Sequence, residues 1–120
     1  MLTQGMTLLL KRVYDPPSPE DGFRILVDRL WPRGLSRDRA EVDLWAKDVA
    51  PSAALRTAFH HDGLPWDAFV SAYRTELQGS PALAQLRRTV AEHDRVTLLF
   101  GAHDPQHNQA VVLRDLLAGG

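Results

Sequence analysis

The sequence contains no cysteine, only two lysines and no long hydrophobic run. The absence of cysteine excludes disulfide bonds, thiol nucleophiles and metal sites built on thiolates. The apolar run at residues 8–10 is too short for a signal sequence or a membrane span, and residues 1–5 carry no basic charge. These absences predict a cytoplasmic protein with no membrane partner.

The common motifs for phosphate, nucleotide and acyl chemistry are absent as well. No Gly-x-Gly-x-x-Gly follows the first predicted strand, and no Gly-x-x-x-x-Gly-Lys-Ser/Thr loop occurs. The Gly-x-Ser-x-Gly turn of hydrolases and the aromatic signatures of RNA-binding sheets are missing too. No standard motif therefore assigns a reaction or a cofactor to this chain.

Arginine supplies most of the positive charge. The net charge of −1 does not favour nucleic acid as a partner, although twelve of the fourteen basic residues are arginine. Five arginines lie between residues 24 and 39 against two aspartates, a local excess of three. Guanidinium groups suit carboxylate and phosphate ligands because they donate paired hydrogen bonds. A GC-rich genome would produce the same excess through its codon usage.

Hydrophobic patterning predicts one α/β domain over residues 1–120. Apolar strands followed by amphipathic helices favour a three-layer sandwich with a small, mainly parallel sheet flanked by helices. Right-handed crossovers would then bring residues 28–33 and 101–104 to a common edge of that sheet. The predicted strands are residues 6–13, 23–27, 42–48 and 96–100, and the predicted helices are residues 52–59, 66–77, 81–90 and a segment starting at Asp104.

A turn at residues 101–108 carries two histidines, an aspartate and an asparagine between a predicted strand and a predicted helix. Ligands of α/β proteins usually bind at such a junction. With Asp104 as the N-cap, His107 would be the third helical residue, and the helix dipole would favour its neutral ring. We predict His107 and Asp104 as catalytic residues, with His103 and Asn108 as ligand contacts. The alternative is that Asp104 only caps the helix and His107 only packs.

The loop at residues 28–34 is a second candidate. Arg29 and Arg33 follow a predicted strand and could clamp an anion, with Trp31 as a stacking wall. The alternative is a salt bridge from Asp28 to an arginine beside a packed tryptophan. The predicted rim of the same cleft is formed by Lys47 and His61.

Several segments of the chain resemble the YeaO-like family, small bacterial proteins within a superfamily of domains of unknown function. The most specific segment is Val-Asp-Arg-Leu-Trp-Pro-Arg-Gly at residues 27–34, and the resemblance covers about residues 7–117. It implies no catalytic residue, because the family has no established activity. The other similar segments are residues 11–15, 24–26, 44–52 and 101–113, and the pair Leu55-Arg56 together with His61-Asp62.

Two positions distinguish this chain within the resemblance. Other branches of the superfamily share the Asp-Pro-x-His motif but carry cysteine where this chain has Asn108. A thiolate mechanism is therefore not available here. The position of His103 is usually lysine in the YeaO-like branch, so a permanent positive charge is lost there.

Three functional hypotheses remain open. The first is a cleft that binds a phosphorylated or nucleotide-like small molecule, either as an enzyme or without catalysis. This hypothesis predicts no metal ligand among the site residues. The second is a non-enzymatic module that binds nucleic acid or a protein. It requires one exposed basic face formed by Arg37, Arg39, Arg87, Arg88 and Arg95. The third is metal-dependent hydrolysis through His60, His61, His103 and His107, which lack the fixed spacing of a known metal motif. The oligomeric state is not indicated.

Overall fold

A four-stranded parallel sheet forms the centre of the computed structural model, which describes residues 7–119. The strand order is β1-β4-β2-β3. Strand β4 lies between β1 and β2, so both of its edges are paired and residues 96–100 are all buried. This explains the continuous apolar run in the sequence. The strands are β1 Thr7–Arg12, β2 Phe23–Leu26, β3 Leu44–Trp45 and β4 Arg95–Phe100.

Serine side chains begin three of the five helices. Ser36, Ser52 and Ser80 each accept a hydrogen bond from a backbone N–H in the first turn of the helix that follows. Such caps satisfy N–H groups that have no partner within the helix. The helices are α1 Arg37–Ala40, α2 Ala53–His60, α3 Trp66–Leu77, α4 Pro81–Ala91 and α5 Gln109–Ala118.

The two faces of the sheet are covered unequally. Helices α2 to α5 pack on one face, where Ile25 and Leu98 lie in the main core. The other face is covered by the loop after β2 and by α1, around Leu26 and Leu99. Alternation of side chains along each strand produces this division, since neighbouring residues point to opposite faces. The predicted α/β fold with a mainly parallel sheet is confirmed. The layer formed by α1 and the loop after β2 is thinner than the layer formed by α2 to α5.

A network of buried charges joins α1 to the amino end of β2. The guanidinium of Arg24 is 4% exposed and lies 2.5 Å from the carboxylate of Asp21. It also donates to the carbonyl oxygens of Ala40 at 2.7 Å and Glu41 at 2.9 Å. Lys11 approaches the same carboxylate at 3.1 Å. Arg24 therefore stabilises the fold, since its donors are occupied by protein groups.

The predicted element boundaries are correct in most places. The predicted helices at residues 52–59, 66–77 and 81–90 correspond to α2, α3 and α4. The third strand is shorter than predicted, because a 3₁₀ turn at Lys47–Val49 follows Leu44–Trp45 directly. Met6, predicted to start the first strand, lies outside the described residues. No helix within residues 7–119 is both long and apolar enough to cross a membrane.

Gly22→Ala is expected to destabilise the protein strongly. Gly22 precedes β2 with φ of 68°, and an added Cβ would lie 2.3 Å from the carbonyl oxygen of Arg95. Backbone strain and the clash together should lower the free energy of unfolding by about 2–5 kcal/mol in urea titrations. Gly34→Ala is the matched control, because Gly34 has φ of 78° and no atom within 4 Å of its Cβ position. Equal losses in the two variants would contradict the proposed close approach.

Candidate functional site

A cleft of about 200 Å³ opens at the carboxyl ends of the two central strands, β2 and β4. The chain leaves β2 towards the loop and α1 on one face of the sheet, and it leaves β4 towards α5 on the other. Ligands of open parallel sheets bind where two neighbouring strands diverge in this way. The cleft is lined by Asp28, Arg29, Leu30, Ala50, Pro51, Arg56, His60, Ala102 and Gln109.

The carboxylate of Asp28 joins the ends of the two strands. One oxygen accepts a hydrogen bond from the backbone N–H of Gly101 at 2.9 Å. The other accepts from the side-chain amide of Gln109, the first residue of α5. The predicted common edge is confirmed, because β2 and β4 are parallel and Asp28, which follows β2, contacts Gly101, which follows β4.

Burial makes Asp28 a weaker acid than an exposed aspartate. Loss of hydration raises its pKa to about 6, against the lowering effects of the Gly101 N–H, the Gln109 amide and the charge of Arg56. Desolvation disfavours the charged carboxylate more than these three partners favour it. At neutral pH Asp28 is therefore a carboxylate that gains a proton readily when the pH falls.

Arg29 lines the cleft and takes part in none of the ion pairs found within residues 7–119. Its terminal Nη2 donates to the carbonyl oxygen of Ala50 at 3.2 Å. Its Nε is closed off from solvent and has no hydrogen-bond partner among the described residues. Since a guanidinium carries five N–H groups, donors remain for a ligand oxygen in the cleft.

Helix α2 contributes two further side chains to the cleft. Arg56 and His60 are four residues apart and so lie on the same side of the helix. Burial, together with the charges of Arg56 and His61, lowers the pKa of His60, so its ring is neutral at pH 7. None of the four ion pairs found within residues 7–119 includes Arg29 or Arg56.

The predicted catalytic pair lies outside this cleft. The Asp104 carboxylate accepts from the backbone N–H of Gln106 at 2.9 Å and lies 2.8 Å from Nδ1 of His107. These two contacts lower the pKa of Asp104. The ring of His107 packs edge-on against Trp66 with the ring centres 5.0 Å apart. Asp104 and His107 are thus brought together, although neither lines the cleft.

The predicted start of the last helix is wrong. Asn108, not Asp104, is the N-cap of α5, and its side-chain oxygen accepts from the N–H groups of Ala110 and Val111. Its amide nitrogen donates to the carbonyl oxygen of Asp104 at 2.8 Å. His107 therefore precedes the helix instead of being its third residue, and the expected effect of the helix dipole on its ring does not apply.

The predicted residues of the loop at 28–34 separate in space. Only Arg29 among them lines the cleft, while Arg33 is exposed. Trp31 packs on the face of the sheet that carries α1, where its indole N–H donates to the carbonyl oxygen of Leu35 at 2.6 Å. The guanidinium of Arg37 lies over its ring at 4.5 Å. The stacking wall that we expected for a ligand is occupied by this arginine.

The predicted rim residues also lie apart from the cleft lining. His61 and His103 are exposed. Lys47 lies over the ring of Trp45 at 5.2 Å and borders a separate groove of about 650 Å³ between β3 and α4. That groove has a mainly apolar lining and no cluster of charged groups, so it is a weaker candidate for an anion site.

Four polar residues of the cleft are not among the residues predicted for the anion site. The sequence suggests Asp28 as a salt-bridge partner and His60 as a metal ligand, and it predicts no role for Arg56 or Gln109. The signal for Asp28 was its position directly after a buried strand, the same signal that identified Arg29. The spacing of Arg56 and His60 on one helix was also visible in the sequence. Nothing in the sequence indicated Gln109, because its role depends on where α5 begins.

The described residues offer little support for the metal and basic-face hypotheses. Within residues 7–119 no group of three or more histidine, cysteine, aspartate or glutamate side chains could hold a metal ion. The five arginines of the expected basic face lie on elements that pack against opposite sides of the sheet, since α1 covers one side and α4 the other. They do not form one surface.

Asp28→Asn is expected to change the pH dependence of unfolding. Folding raises the pKa of Asp28 from 3.8 to about 6, so the folded protein binds this proton more tightly than the unfolded chain. The resulting stabilisation is fully present below pH 3.8 and is lost as the pH rises through about 6. Between about pH 4 and pH 7 the wild type should lose about 2–3 kcal/mol relative to the variant.

Chemical denaturation over this pH range measures that difference. Asp62→Asn serves as the control, because Asp62 is exposed and lies outside the cleft. Its stability should follow that of the wild type at every pH. Parallel curves for Asp28→Asn and the wild type would contradict a raised pKa.

Comparison with known proteins places the chain in a family. Residues 7–119 match the model of DUF488-N3i, described as the inactive DUF488-N3 subclade. The chain is 40% identical over 112 residues to the uncharacterized protein YeaO of Escherichia coli K12, covering 93% of this chain and 97% of that protein. It is 44% identical over 108 residues to the uncharacterized protein Rv3073c of Mycobacterium tuberculosis H37Rv, covering 90% and 91% respectively. No solved structure matches the chain. The resemblance noted in the sequence is confirmed: the chain is similar to YeaO, and it belongs to the DUF488-N3i family.

Proposed function

We propose that this protein is a binding module for a small carboxylate or phosphate, and that the cleft between the ends of β2 and β4 is its site. The observation that carries this proposal is that Arg29 and Arg56 both line the cleft and take part in none of the four ion pairs within residues 7–119. Guanidinium groups without a carboxylate partner suit carboxylate and phosphate ligands, because they donate paired hydrogen bonds.

The charges of the cleft favour an anion. Arg29 and Arg56 contribute two positive charges and Asp28 one negative charge, while His60 is neutral at pH 7. The lining therefore carries a net charge of about +1 at neutral pH. Partial burial strengthens the attraction to an anion, because the local dielectric constant is lower than that of water.

The size of the cleft limits the ligand. Its volume of about 200 Å³ lies below the range of about 300–1,000 Å³ that is typical of sites for drug-sized molecules. A phosphate group or a short carboxylic acid fits this space, whereas a whole nucleotide does not. This narrows the first hypothesis to a small anion.

Binding without catalysis agrees with the residues of the cleft. Its lining contains no serine, threonine, cysteine, tyrosine or lysine, so it offers no side-chain hydroxyl, thiol or amine as a nucleophile. Asn108 is buried, and its amide is engaged in capping α5 and in the bond to Asp104. The description of the matching family as an inactive subclade supports the same conclusion.

Arg29→Lys is expected to weaken anion binding while keeping the positive charge. Lysine carries a single ammonium group in place of the planar guanidinium, so the paired hydrogen bonds to the ligand are lost. Titration of labelled protein with sodium propionate or inorganic phosphate, followed by ¹H–¹⁵N NMR, measures the dissociation constant. We expect an increase of about tenfold, which corresponds to about 1.4 kcal/mol. Shifts in the wild type should centre on the amides of Gly101 and Ala102.

Arg74→Gln is the control for this experiment. Arg74 is exposed on α3 and does not line the cleft, so the dissociation constant should stay at the wild-type value. An unchanged affinity in Arg29→Lys would overturn the role of Arg29. A wild type that shows no shifts at about 50 mM of either anion would overturn the proposal itself.

A further inference from the structure

We infer that the ligand of this cleft is a small zwitterion, a free amino acid with a short aliphatic side chain. The inference rests on the proposed function and deepens it by naming the class of anion. Its basis is that an acidic group, Asp28, and two basic groups, Arg29 and Arg56, line the same small cavity, and that none of the three takes part in an ion pair found within residues 7–119.

Asp28 has unused capacity to accept hydrogen bonds. Its two oxygens receive one N–H from Gly101 and one from Gln109. An ionised carboxylate offers about four acceptor positions, so about two remain. The ammonium group of an amino acid would supply donors for them and would form a charge-assisted bond.

A simple anion would meet a difficulty that a zwitterion avoids. An anion held by Arg29 within about 200 Å³ would lie close to the carboxylate of Asp28, and the two negative charges would repel each other. In an amino acid the ammonium group lies beside its own carboxylate and would face Asp28. His60 is neutral at pH 7 and does not repel that ammonium group.

The remaining lining suits an aliphatic side chain. Leu30, Ala50, Pro51 and Ala102 are apolar, and Leu30 is 61% exposed. A methyl or isopropyl group covered by Leu30 would remove apolar surface from water. The volume of the cleft excludes long or aromatic side chains.

L-Alanine and two analogues that each lack one of its charged groups test the inference. L-Alanine carries both charged groups, propionate lacks the ammonium group, and ethylamine lacks the carboxylate. In NMR titrations of the wild type at about pH 7.5, we expect alanine to bind at least about tenfold more tightly than propionate. Ethylamine should produce no shifts at Gly101 or Ala102.

Asp28→Asn identifies the source of this preference. The neutral amide should remove the advantage of alanine, so that alanine and propionate bind equally or propionate binds better. Asp62→Asn, an exposed change outside the cleft, should keep the wild-type preference. A retained preference in Asp28→Asn would overturn the inference.

The outcomes separate the inference from the proposed function. If propionate binds the wild type as tightly as alanine does, the inference of a zwitterionic ligand is wrong and the proposed anion site is retained. If neither ligand binds, both are wrong. The comparison of ligands on the wild type does not depend on the folding of any variant.

Discussion

The carboxylate of Asp28 is the contact on which the geometry of the cleft depends. It accepts hydrogen bonds from Gly101, after β4, and from Gln109, at the start of α5, while its own backbone continues β2. Its carbonyl oxygen also accepts the indole N–H of Trp45 at 2.8 Å, which ties β3 to the same point. The ends of three neighbouring strands are therefore fixed around one residue, and the cleft lies where those ends diverge.

The arginines between residues 24 and 39 have different structural roles. Arg24 is enclosed by Asp21 and the carbonyl groups around α1, so it stabilises the fold. Arg37 covers the ring of Trp31. Arg29 alone in this segment presents a buried donor without a partner. The local excess of positive charge is thus divided between a buried network, a stacked side chain and the cleft.

The polar residues of the turn at residues 101–108 hold the turn and start α5, a role that their residue types did not reveal. The turn at residues 101–108 is held by Asp104, whose carboxylate contacts Gln106 and His107, and by Asn108, whose side chain starts α5. These contacts use the polar groups that looked available for chemistry. The start of α5 at Gln109 then determines that an amide, and not a histidine, faces Asp28.

The sequence by itself determined most of the secondary structure and the edge of the sheet at which the residues after β2 and β4 meet. Period-two and helical patterns, serine caps and Pro-Gly loops are local signals, so the helices at residues 52–59, 66–77 and 81–90 and the parallel central strands were predictable. Arg29 was predictable because it follows a buried strand. Which side chains share the cleft was decided by the tertiary structure. Arg56 and His60 reach the cleft only because α2 packs beside the end of β2. Asp104 and Asn108 both have side chains suited to an N-cap, and only the tertiary structure decided that Asn108 caps α5. Contacts between residues far apart in the chain depend on packing, which local sequence patterns do not record.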